Sequence, residues 1–151
     1  MILTIFILSR ISLIMNRKYT GKYHDVDQND IPFSVQFSMN VVFDSKMIFK
    51  GKVWEEVFSK KTDKFLSVKG FIDEDHISFI KQYPCFFSSD INGELIIDCS
   101  KPGHEVIYDG YWNEEKGIWE GEWEVEGETN LLGTDDVISD IYTGDFEMKM
   151  D

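Results

Sequence analysis

From Trp119 to Glu126 the chain alternates without a break: Trp119, Gly121, Trp123 and Val125 are apolar or small, while Glu120, Glu122, Glu124 and Glu126 are carboxylates. A helix would scatter those glutamates around its axis. An extended strand sets them all on one face, because side chains change sides at every residue. The segment therefore reads as a strand with one wet and one buried face. The same period of two runs from Ile31 to Met39, where Ile31, Phe33, Val35, Phe37 and Met39 are apolar and Pro32, Ser34, Gln36 and Ser38 are not. Phe43-Asp44-Ser45-Lys46 then predicts a tight connection, after which Met47, Phe49, Gly51 and Val53 share a face against Lys50 and Lys52, completing a hairpin. The chain ends on the same device, with Phe146, Met148 and Met150 inside and Asp145, Glu147 and Lys149 outside.

Weaker strand patterns cover Arg17 to His24, Lys64 to Gly70, Asp75 to Cys85 and Glu105 to Asn113, separated by clusters of Asn, Asp, Gly and Pro. The total comes to about eight. Two connections are long: Phe86 to His104, in which Glu94 to Asp98 is expected to pair briefly, and Gly127 to Asp140, which is read as holding a helical turn. No crossover helix fits between strands, so neighbours should be antiparallel and sequential. Alanine, the best helix former, is absent, and β-branched and aromatic residues are plentiful. The expected fold is all-β, an antiparallel up-and-down β-barrel of about eight strands, since closure removes the exposed edges. A β-sandwich is the alternative. Glycines set among large residues, Gly51 beside Phe49, Gly110 between Tyr108 and Trp112, Gly121 between Trp119 and Trp123, suit a narrow interior.

A chain of 151 residues makes one domain, and 42% hydrophobic residues supply a core, which excludes wholesale disorder. The domain is expected over 15–151. Residues 1–14 are read as a non-structural extension: the apolar run is interrupted by Arg10, is shorter than the roughly 20 residues of a spanning helix, and carries no small-residue cleavage site. Met15 is an alternative start. Cys85 and Cys99 are too few for a disulfide scaffold and lack metal-ligand spacing, and Cys85, after Pro84, is expected to be inert. No Asn-x-Ser/Thr sequon occurs, so a cytoplasmic location is expected over a secreted one.

The net charge of -13 opposes nonspecific attraction to nucleic acid or anionic membrane, and neither is expected as a partner. It is unevenly placed. Gly103 to Asp151 holds 2 Lys or Arg against 15 Asp or Glu, whereas Met15 to Pro102 holds 12 against 13. The last third thus carries either a docking face for a basic protein or a solvated, solubilising surface.

Tyr19-Thr20-Gly21-Lys22-Tyr23 resembles the Thr-Gly-x-Trp opening of avidin-type barrels and the Gly-x-Trp of lipocalins, with Tyr in place of Trp. Phe49-Lys50-Gly51-Lys52-Val53 resembles the third avidin-type strand. Ile77-x-Phe79-x-Lys81-x-Tyr83 within Gly70 to Tyr83, with Gly121-x-Trp123, is similar to small calycin-like domains. This short-motif resemblance spans roughly residues 17–150 and implies a barrel with a cavity. It does not imply biotin: the family's biotin-contacting positions fall on Asp25, Asn29 and Val53, all of which differ.

Lys81 shares parity with Ile77, Phe79 and Tyr83, so an inward sheet face carries an inward ammonium. It would receive a ligand carboxylate or phosphate with Tyr83 and Tyr108, or snorkel at a mouth, or pair with a protein carboxylate. His24, His76 and His104 show no metal-ligand spacing, the acidic doublets Asp73-Glu74-Asp75, Glu114-Glu115 and Asp135-Asp136 read as solvated turns, and no phosphate loop, nucleophile elbow or triad is legible. No metal, cofactor or catalytic residue is assigned. Three functions follow. The first is binding of a small apolar or amphipathic ligand, with Trp119, Trp123, Tyr108, Phe37 and Phe79 as walls and Lys81 as polar anchor. The second is a protein-interaction module with an acidic docking face, its barrel packed solid. The third is an enzyme on a lipocalin-like barrel.

Overall fold

The computed structural model describes residues 15–27, 29–90, 92–130 and 137–151. Its elements in chain order are β1 (Met15–Val26), β2 (Pro32–Phe43), β3 (Ile48–Glu55), α1 (Phe58–Thr62), β4 (Leu66–Asp73), β5 (His76–Gln82), β6 (Phe86–Ser89), β7 (Leu95–Asp98), β8 (Glu105–Asn113), β9 (Ile118–Asn130) and β10 (Val137–Met150). Eight of these strands close an antiparallel barrel in the order β1-β10-β9-β8-β5-β4-β3-β2. The expected up-and-down barrel is therefore present, with β6 and β7 paired as a separate hairpin between β5 and β8. The brief pairing expected within Glu94 to Asp98 is β7 against β6.

The alternating pattern sets the inside. Val35, Phe37, Met39, Val41 and Phe43 of β2 are buried while Gln36, Asn40 and Val42 between them are exposed, as a period of two requires. Phe43, Phe49, Phe79, Tyr108 and Phe146 meet in the interior: Phe79 stacks on Tyr108 at 4.7 Å, and Phe146 presents its edge to both. Such aromatic pairs add about 0.5–1.5 kcal/mol each beyond burial. Gly121 lies opposite Gly110, between Tyr108↔Trp123 and Trp112↔Trp119. A Cβ on Gly121 would overlap the Asp109 carbonyl, so the close approach of the two strands there requires a glycine.

Several inward expectations fail at the rims. Phe33 and Ile31 keep the parity of Phe37 but are 42% and 57% exposed. The β1–β2 hairpin continues beyond the last β2–β3 pair, Phe37↔Glu55, so β3 does not flank them. Met150 is exposed for the same reason: β9 pairs with β10 only as far as Met148↔Trp119. Trp112 is half-exposed at the same end, edge-on to Trp119. Of the connection Gly127 to Asp140, read as holding a helical turn, β9 continues to Asn130 and β10 starts at Val137; residues 131–136, where a turn would fall, lie outside the described residues. The extension 1–14 and Asp135-Asp136 lie outside the described residues. Cys85 and Cys99 form a disulfide that closes the base of the β6–β7 hairpin.

Candidate functional site

Strand parity delivers Lys81 to the barrel interior, where it is fully buried. Its ammonium donates to the Tyr108 hydroxyl at 3.0 Å and to Glu55 Oε2 at 3.3 Å, and lies 3.5 Å from the centre of the Phe37 ring. Glu55, 1% exposed, accepts a 2.5 Å hydrogen bond from the Tyr83 hydroxyl on its other oxygen. Tyr23 completes the group, its ring 5.3 Å from the ammonium. Burial pulls the Lys81 amine down to about 8, with Glu55 opposing the shift. Burial, reinforced by the Glu55 charge, raises Tyr23, Tyr83 and Tyr108, so all three stay protonated; Tyr83 donates to Glu55, while Tyr108 accepts from Lys81.

Of the alternatives open for Lys81, the protein carboxylate is the partner it has. Sequence reasoning missed Glu55. The signal was there, since Glu55 lies two residues beyond Val53 on the face of Phe49, Gly51 and Val53. The signal is masked where Glu55-Glu56-Val57 breaks the alternation. Ser59 of α1 then fixes the chain end, its hydroxyl accepting the Glu55 amide at 2.9 Å.

The structure brings Lys81, Tyr83, Tyr108, Phe37 and Phe79 together and places Trp123 beside them through Tyr23, at 6.0 Å between rings. Trp119 packs instead at the opposite end, with Trp112. These side chains fill the interior rather than line a space: Phe43, Phe49, Phe79, Tyr108, Met39 and Phe146 are at most 2% exposed. Over the Tyr83 end, Phe58 of α1 and Phe87 of β6 form a cover, with ring centres 5.1 and 4.7 Å from Tyr83 and 5.6 Å from each other. Lys61 ties α1 to this hairpin, donating to the Leu95 carbonyl at 2.8 Å. Among the described residues no buried side-chain polar atom lacks a hydrogen-bond partner. The cluster is thus satisfied by the protein's own groups, with Lys81 and Glu55 neutralising each other.

The outer surface of β8, β9 and β10 is built differently. Register aligns Asp109, Glu122 and Asp145 in one row across three strands, with Tyr111, Glu120 and Glu147 in the row beside it and Ile107, Glu124 and Thr143 in the row on the other side. Lys116 and Lys22 reach Glu120 and Glu147, His76 reaches Asp109 at 2.8 Å, and Asn113 donates to Glu120, holding its carboxyl below the usual range. None of the ion pairs among the described residues includes Glu122, Glu124, Glu126 or Asp145. Where β8 and β9 part beyond Ile107↔Glu124, a recess of about 330 Å³ opens, walled by Glu105, Glu124 and Glu126 over Ile107, Val125 and Ile141. A cation on an apolar stem suits such a recess, because its charge meets carboxylates while its methylenes leave water. Among the described residues no helix is long and apolar enough to cross a membrane. No family model, curated protein or solved structure matches the chain.

Proposed function

We propose that this chain is a protein-interaction module on a calycin-like barrel, and that the carboxylate-rich outer face of β8, β9 and β10 docks a basic partner. The observation that carries the reading is the row Asp109, Glu122, Asp145. Like charges directly opposite one another on neighbouring strands destabilise a sheet, and a surface kept only for solubility gains nothing from aligning them. A docked Lys or Arg would relieve the repulsion, and the concentrated charge would steer its approach. The filled interior and the self-satisfied Lys81 cluster weigh against a lumen ligand and against acid–base chemistry there. The Cys85–Cys99 bond weighs toward an oxidising compartment rather than the cytoplasm expected from the sequence.

The test is fluorescence anisotropy of a labelled oligolysine dodecamer. Binding should weaken as salt rises to about 0.5 M. Glu122→Lys with Glu124→Lys should weaken it about tenfold or more, a loss of about 1.4 kcal/mol. Glu114→Lys with Glu115→Lys, the same charge change in the β8–β9 turn, should cost much less. Equal losses from the two pairs would mean that net charge alone attracts the peptide, and the docking face would be abandoned.

A further inference from the structure

We propose that the partner binds as an extended segment that adds as a strand to the free edge of β10 at the mouth of the barrel. This rests on the basic-partner reading above and gives it a backbone geometry. β1 and β10 pair only from Tyr19↔Met150 to Tyr23↔Phe146, yet β10 extends back to Val137. Residues 137–145 are therefore paired on one side only, with β9, and among the described residues no strand takes the other side.

The fork between β1 and β10 is built in. The Trp123 indole enters it and donates Nε1–H to the His24 carbonyl at 3.0 Å, taking the place a main-chain donor of β10 would occupy. Gly144 makes the room, since the nearest atom to a Cβ there would be the His24 carbonyl oxygen of β1, with indole Cε2 2.6 Å away. The two strands do not pair beyond Tyr23↔Phe146, so among the described residues the β10 edge over Asp140 to Thr143 has no strand beside it. Ile141 and Tyr142 on it are 70% and 50% exposed, and Ile141, Tyr142 and Thr143 are all residues that favour strands. Natural edges are usually guarded by Pro, Lys or a bulge, and between Asp140 and Asp145 there is no Pro or Lys.

Charge selects the occupant. A second copy would lay its own Asp140 and Asp145 against these in the most acidic part of the molecule, and the repulsion opposes it. A basic strand meets attraction instead. Main-chain hydrogen bonds would supply affinity, and alternation would supply specificity: side chains of the added strand on the outer face lie toward the acidic rows, and those on the inner face lie beside Tyr142. The segment that fits alternates Lys or Arg with an apolar residue.

The probe is a capped decapeptide of alternating Lys and Val, with two isomers N-methylated at either the Lys or the Val positions, so that each loses every second donor and keeps its charge. Strand addition predicts that one isomer binds at least tenfold more weakly while the other binds like the parent, and that amide exchange over residues 140–144 slows tenfold or more on binding. If both isomers match the parent and exchange is unchanged, strand addition is overturned while the acidic docking face stands. If neither this peptide nor oligolysine binds, both readings fall. Slowed exchange at these amides with rising protein concentration alone would assign the edge to a second copy and overturn the proposal.

Discussion

Among the described residues Lys81 and Glu55 are the charges the barrel encloses, and they are tied to each other, to Tyr108 and to Tyr83. Removing both charges of a buried pair is often close to neutral, whereas removing one strands the other in a low-dielectric interior at a cost of about 3–5 kcal/mol. Lys81→Met should therefore destabilise the fold by about that amount, and the double variant Glu55→Gln with Lys81→Met should recover more than half of the loss. Urea unfolding of the two singles and the double measures this; a double variant as unstable as the sum of the singles would mean that the two groups act independently. The pair was half legible. Lys81 could be placed because Ile77, Phe79 and Tyr83 flank it at the same parity. Glu55 is a carboxylate whose only inward signal is two-residue spacing from Val53, and glutamate is ordinarily read as solvated.

Strands were the most legible elements, because one wet face and one dry face impose an alternation that no other backbone geometry produces, as Ile77 to Tyr83 and Trp119 to Val125 show. The rims were not legible: Phe33 and Phe37 carry the same pattern, and the length of β3 decides which has a neighbour on the adjacent strand. The β6–β7 hairpin was legible only as a brief pairing within Glu94 to Asp98, because its hold on the barrel is tertiary. Phe87 packs on Phe58 and Tyr83, Lys61 reaches the Leu95 carbonyl, and Cys85–Cys99 joins residues 14 apart. Closing a loop of that length is worth about 3 kcal/mol in the chain-entropy account. Cys85→Ser with Cys99→Ser should lower stability by about 2–3 kcal/mol, and amide exchange in Phe86–Ser89 and Leu95–Asp98 should rise well above that in Ile77 to Lys81. Uniform acceleration through β5 as well would show that the hairpin and the barrel open as one unit.

The closed order of strands makes the molecule electrically two-sided. β3 and β4 carry Lys50, Lys52 and Lys69 outward, with Lys50 directly opposite Lys69, while β8, β9 and β10, on the other side of the ring, carry the carboxylate rows. Folding gathers these charges onto one face from segments that the unfolded chain holds apart, so the acidic rows raise the energy of the native state more than that of the unfolded one. Glu122 lies in the middle row, flanked by Asp109 and Asp145. Glu122→Lys exchanges two repulsive cross-strand pairs for two attractive ones, and in low salt it should raise the melting temperature by about 1–3 °C. The gain should shrink toward zero near 1 M salt, where the screening length falls to about 3 Å. Differential scanning calorimetry across the salt range checks this. The same substitution is expected to weaken the basic peptide, so a residue that costs stability would be the one that binding requires. If Glu122→Lys leaves the melting temperature unchanged at every salt concentration, the carboxylates are solvated without mutual strain, and alignment of the row loses its weight as a sign of function.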